Sequence, residues 1–167
     1  TKMIGKPILW NNENQMTGDI MHLIGNNKTQ KLDSLKVLNN AFIIQKDSLS
    51  KNGYNQIKGQ NLYGKFVNSK LKEVDVVKNA EVIYYMYNDA NEFIGINKTV
   101  CSKINLELEA NKINSITFFT KTDSFIYPEA DFPENARKLR GFLWRGDERI
   151  LSKDDIFPAE EIALDDK

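Results

Sequence analysis

Lys70-Leu71-Lys72-Glu73-Val74-Asp75-Val76-Val77-Lys78-Asn79-Ala80-Glu81-Val82-Ile83-Tyr84-Tyr85 is the stretch that decides the fold class. Val74, Val76, Val82 and Tyr84 fall on one face of an extended chain, because successive side chains of a strand point to opposite sides. β-branched and aromatic residues dominate it, and no apolar i, i+3, i+4, i+7 stripe is sustained, so the segment reads as strand rather than helix. Asn79, standing before Ala80, interrupts the apolar alternation. A polar break of that kind is where an extra residue forms a bulge and bends a strand.

Working outward, the same pattern recurs. Lys31-Leu32-Asp33-Ser34-Leu35-Lys36-Val37-Leu38 and Lys112-Ile113-Asn114-Ser115-Ile116-Thr117-Phe118-Phe119 share with it a lysine, an aliphatic residue, two polar residues, an aliphatic residue, any residue, and two apolar ones. Asn40-Ala41 repeats the Asn-Ala step. Upstream of each copy lies a glycine-marked strand, at Gly18, Gly59 and Gly95, so a unit of about forty residues occurs three times. Each unit is predicted to be a strand, a turn, and a longer strand that passes a kink. Leu35, Val37 and Ile43 then share a face with Val74, Val76, Val82 and Tyr84, and with Ile116 and Phe118, as one continuous apolar interior.

Turn signals separate the runs at Gly25-Asn26-Asn27, Asn52-Gly53, Asn68-Ser69, Asn88-Asp89-Ala90-Asn91 and Ala110-Asn111. All four prolines, Pro7, Pro128, Pro133 and Pro158, lie outside residues 8–127, which leaves the hydrogen-bonded ladders there uninterrupted. The expected fold is all-β and mostly antiparallel, with the repeats over residues 7–128 and a capping segment and tail over 129–167. In that tail, Asp131-Phe132-Pro133-Glu134 has the form of a capped helix start and Gly141 of a stop, predicting a short helix near 132–140. Phe142, Leu143 and Trp144 would dock on the open end of the strand stack. The acidic end, Glu160, Glu161, Asp165 and Asp166, is expected to be frayed and solvated.

Composition narrows function. Lys+Arg and Asp+Glu number 23 each, so the chain has zero formal charge and lacks the bulk attraction to phosphate backbones that nucleic-acid binders use. Cys101 and His22 are single, so no intrachain disulfide, Cys/His zinc set or Cys–His dyad can be assembled; they read as a buried small side chain and a polar strand position. The longest apolar run, 82–87, is too short to span a bilayer, and residues 1–10 do not read as a signal peptide. No phosphate-cradling glycine loop or Ser/His/Asp set is present. Asp147-Glu148 and Asp154-Asp155 read as solvated carboxylates, and the sequons at Asn27 and Asn97 are expected by chance. Arg137, Arg140, Arg145 and Arg149 cluster within thirteen residues. They suit a phosphorylated head group or a partner's carboxylates, with pairing to Asp147 and Glu148 the favoured reading. A non-catalytic scaffold with no metal and no cofactor is expected.

The three in-phase repeats, together with the segments 56–66, 73–82 and 137–149, resemble the OstA-like family, relatives of the periplasmic lipopolysaccharide-transport and organic-solvent-tolerance proteins, in the versions found in Bacteroidetes. The resemblance covers residues 7–158. It implies stacked antiparallel strands in an open, twisted β-jellyroll, with lipid A acyl chains carried along the nine apolar residues of the shared interior. It also implies a periplasmic location and end-to-end assembly with other β-jellyroll modules by strand addition. Family members carry a secretion signal and often further repeat modules; this sequence is accordingly expected to be an excised domain. Two other readings remain open. One is an assembly module of outer-membrane biogenesis whose interior is filled by its own side chains and plugged at one end by the tail. The other is an enzyme, disfavoured because nothing places two carboxylates across a cleft.

Overall fold

Ten strands run through the chain: β1 Lys2–Ile4, β2 Ile8–Asn11, β3 Asn14–Thr17, β4 Ile20–Asn26, β5 Lys31–Lys46, β6 Tyr54–Val67, β7 Lys70–Tyr87, β8 Phe93–Glu109, β9 Lys112–Phe119 and β10 Asp123–Tyr127. The computed structural model describes residues 1–110, 112–120, 122–152 and 155. All pairings are antiparallel; most join consecutive strands as expected of hairpins, while β1 pairs with β4, β3 with β5 and β10 with β8, and together they make an open, jellyroll-like all-β fold. The turns fall at the predicted signals, of which Asn111 lies outside the described residues. Asn68 and Ser69, for example, both have positive φ, at 51° and 60°, between β6 and β7.

β5, β6, β7 and β8 are long because each crosses a bend. On β5, Asn39 and Asn40 lie between Leu38, which faces Asn61, and Ala41, which faces Gly59, so two residues oppose the single Gln60. On β7, Lys78 and Asn79 likewise oppose the single Ser102. All four inserted residues are left-handed, with φ of 60°, 52°, 65° and 52°. Asparagine tolerates that region because its side chain bonds locally, and lysine does so at some cost. The polar interruption in the sequence is therefore the bend, as predicted, and the upstream strands β6 and β8 bend with it.

The third copy follows the same plan but breaks. β9 pairs with residues 103–109 of β8, the chain turns at Thr120 (φ 54°), and β10 pairs with residues 96–100 of the same strand. Ser102 Oγ donates to Phe119 O at 2.9 Å at the break. The glycine marks are less regular than the sequence suggests. A side chain at Gly59 would come within 2.6 Å of Val76 Cγ1, and one at Gly18 would overlap Val37, so both are small where the layers meet. Gly95 instead sits at the start of β8, against Tyr127 O, and Ser102 holds the bend position.

The bend divides the ribbon into two layers. The first runs β1-β4 and then the distal halves of β5 to β8, ending at β9; the second runs β2-β3 and then the other halves of β5 to β8, ending at β10. Inward side chains of both layers form one core, including Met16, Met21, Leu35, Val37, Ile43, Ile57, Val74, Val76, Val82 and Ile104. Complete burial of an aliphatic side chain contributes about 1.5–3 kcal/mol, so this core is the main stabilising feature.

A second cluster lies on the outer face of the second layer, where Phe42, Ile44, Ile83, Tyr85 and Ile96 are covered by Phe132 and Leu139. The covering segment is not the predicted helix over 132–140. It is an irregular strap with single turns of 3-10 helix at Glu129–Asp131, Glu134–Ala136 and Gly146–Glu148. The reason is local: the Arg137 side chain turns back to donate to Phe132 O and Glu129 O, both at 2.7 Å, while Phe132 and Leu139 must both reach the sheet. Leu143 and Trp144 belong to this outer strap and not to an end of the strand stack. The acidic residues 160–166 lie outside the described residues, as does Asp154.

Candidate functional site

All nine apolar residues expected to share an interior do so: Leu35, Val37, Ile43, Val74, Val76 and Val82 are core members, with Tyr84, Ile116 and Phe118 packed against them. They are not equivalent. The first six are at most 4% exposed, a filled core. Tyr84, Ile116 and Phe118 are half-buried and, with Tyr85, Met86, Tyr87 and Asn97, line a cleft of about 370 Å³ formed by β7, β8 and β9. The interior is thus closed along most of its length and opens toward β9.

The cleft has an apolar floor and a polar rim. Asn97 Nδ2 donates to Ser124 Oγ at 2.9 Å, and the fully buried Thr99 hydroxyl donates to Asn97 Oδ1 at 2.8 Å. Burial first, and the Asp47 charge second, push the Tyr84 phenol above its ordinary pKa, so it stays neutral. Nearby, Tyr87 Oη donates to Asp47 Oδ2 at 2.6 Å, and Ser50 N donates to the same oxygen at 2.7 Å, which fixes the β5–β6 turn beside the cleft. Desolvation and that hydrogen bond raise the Tyr87 pKa as well. Cys101 is buried at the bend and its thiol donates to Lys103 O at 3.3 Å; burial raises its pKa, which suppresses thiolate chemistry.

The arginines do not converge on one point. Arg137 pairs with Glu129 at 3.2 Å, Arg145 Nε donates to Glu148 at 2.7 Å, and Arg149 reaches Glu13 at 3.1 Å while lying over Trp10. Among the described residues no acid pairs with Arg140. Asp147, expected beside Glu148 as an arginine partner, takes no part in these pairs.

Two glutamines that the sequence analysis passed over hold the strap. Gln56 Nε2 donates to Arg137 O at 2.7 Å and its Oε1 accepts from Leu139 N at 2.8 Å. Gln15 does the same further along, donating to Leu143 O at 2.8 Å and accepting from Arg145 N at 2.7 Å. Both are fully buried, and each amide brackets one strap residue as a neighbouring strand would. Trp144 packs edge-on to Trp10 at 5.3 Å, and Tyr127 stacks on Phe132 at 4.9 Å. In sequence, Gln15 and Gln56 alternate with inward Met16 and Ile57 and so resemble ordinary solvent-facing strand residues.

Among the described residues no three His, Cys, Asp or Glu side chains come together as a metal site, and no helix is long and apolar enough to cross a membrane. No family model, curated protein or solved structure matches the chain.

Proposed function

We propose that this chain is a non-catalytic lipid-handling module of periplasmic lipopolysaccharide transport, which shelters acyl chains between its two layers and assembles end to end with similar modules. The observation that carries the reading is the gathering of apolar residues from all three repeats into one interior that opens at Tyr84, Ile116 and Phe118. A cleft of about 370 Å³ sits at the lower end of ordinary ligand-site volumes. It suits part of one acyl chain rather than a whole multi-chain lipid. Each sheltered methylene contributes about 0.8 kcal/mol, so ten of them contribute about 8 kcal/mol before ordering costs. Asn97, held in place by Thr99 and Ser124, puts an amide beside the polar end of such a chain.

Assembly follows from the edges. Among the described residues β1 and β9 bound the first layer and β2 and β10 the second, and each is paired on one side only. Strand addition at such edges supplies backbone hydrogen bonds without new side chains.

A photocrosslinker placed at Phe118, with lipopolysaccharide as the probe and the outward Tyr63 as control, tests carriage. An adduct at Phe118 and none at Tyr63 is expected; equal labelling at both, or none at Phe118, overturns it. The filled state of the core from Leu35 to Val82 favours one further reading, an assembly module that holds no lipid. That reading predicts edge-dependent oligomers and no adduct at Phe118.

A further inference from the structure

On the outer side of the bend lies a groove of about 1070 Å³ that is distinct from the apolar cleft. Its walls come from four separate parts of the chain: the β1–β2 loop, the β3–β4 junction, the bend of β5 to β7, and the strap. Lys6, Lys58, Arg140 and Arg145 line it, against the acids Asp19 and Glu81. In a chain of zero net charge, the groove therefore carries an excess of cations.

The local pairings decide which cations are available. Lys58 is held by Glu81 at 3.0 Å and donates to Arg140 O at 3.2 Å; Arg145 is engaged by Glu148 and donates to Lys6 O at 3.0 Å. Lys6 and Arg140 are exposed and have no acidic partner among the described residues. Lys6 is also held in left-handed backbone (φ 58°), after Gly5 at φ 88°, by the Arg145 contact and by Gly5 N donating to Asp19 O at 3.3 Å. A non-glycine residue stays in that region only where its surroundings impose it. The rest of the lining is mixed: the amides and hydroxyl of Asn39, Asn79, Gln60 and Thr17, with Asn40 donating to Asp19 at 2.9 Å, stand beside Ala41, Phe42, Leu143 and four glycines.

We propose that this groove binds a sugar phosphate. Lys6 and Arg140 share the groove with the Asp19 carboxylate, which no cation pairs with among the described residues, so an excess of one positive charge faces a phosphate monoester of about −1.5 to −2 near neutral pH. Arginine and lysine then make charge-assisted bonds to its oxygens. The exposed amides of the bend supply paired donors and acceptors of the kind that sugar hydroxyls require. Neither inorganic phosphate nor a neutral sugar uses both halves of the site. The groove does not depend on the interior holding lipid, and the two sites share no lining residue.

Amide-resolved NMR titration of the whole chain tests the proposal, with glucose 1-phosphate, glucose and inorganic phosphate as separate probes. Saturable shifts at Gly18, Asn40, Gly59 and Gly141 are expected with glucose 1-phosphate, at an affinity at least tenfold above either other probe. Lys6→Ala and Arg140→Ala are each expected to weaken it about tenfold while leaving the remaining amide spectrum unchanged. Binding should weaken as pH falls through about 6, where the phosphate loses its second charge. Absence of saturable shifts in the groove overturns the proposal. So does equal affinity for inorganic phosphate, or binding indifferent to both substitutions.

Discussion

The same four strands present two unlike outer faces on either side of the bend. On the first layer the outer cross-strand row runs through His22, Lys36, Tyr63, Asp75 and Asn105, a polar surface with Asp75 paired to Lys103 at 2.9 Å. On the second layer the outer face is Phe42, Ile44, Ile83, Tyr85 and Ile96, buried under the strap. The difference is written in the strands themselves. Before the bend, β5 and β7 alternate, as in Leu35-Lys36-Val37 and Val74-Asp75-Val76; after it they run apolar without a break, as in Ala41-Phe42-Ile43-Ile44 and Val82-Ile83-Tyr84-Tyr85. Continuous apolar strands mark a sheet buried on both faces, and alternating ones a sheet with one face in water.

The largest test of this contrast is at the strap's anchor. Phe132→Ala should cost about 3–5 kcal/mol in urea unfolding, the usual loss for a buried aromatic truncated to alanine. Tyr63→Ala on the bare face should stay within about 0.5 kcal/mol. Equal losses would show that the two faces are energetically alike. Gln56→Ala comes next: it leaves Arg137 O and Leu139 N without their bonds, and a loss of about 1–3 kcal/mol in the same measurement is expected. At the bend between the layers the sign reverses. Lys78→Gly relieves a left-handed lysine, a strain of about 1–2 kcal/mol offset by glycine's chain entropy, for a net gain of up to about 1 kcal/mol read as a raised unfolding midpoint.

The smallest effect is electrostatic, on the strap's surface. Arg145 holds the Glu148 carboxyl below its usual range. A depressed folded-state pKa gives stability that is present above the ordinary carboxylate pKa and lost as pH falls through the lowered one. Melting temperature followed from pH 7 down through the acid range should therefore fall slightly more steeply in the parent than in Glu148→Gln. The Glu148 carboxylate is exposed to solvent, which keeps the difference small.

The all-β class, the turns, the bend at Asn40 and Asn79 and the shared interior were legible in the sequence, because each rests on local chemistry: period-two patterning, turn residues, and a polar break in an apolar run. The strap was not. Its helix-like start at 131–134 obeys local rules, but Phe132 and Leu139 answer to a distant sheet face, and Gln15 and Gln56 disclose their role only once a backbone is laid across them. A signal for the cover was nevertheless present in the unbroken apolar runs 41–44 and 82–85. The candidate cleft was legible as a set of residues but not as a shape, since the same alternation serves Val76 in a closed core and Phe118 at an open mouth.

Because every long strand crosses the same crease, neither leaf can swing alone. Prising the leaves apart to admit a guest means turning the left-handed pairs at 39–40 and 78–79 together with Gln60 and Ser102, along one shared axis. β9 is exempt, since it parts from β10 at Thr120 and never crosses the crease, so the mouth beside Phe118 yields more readily than the packed leaves beside Val37.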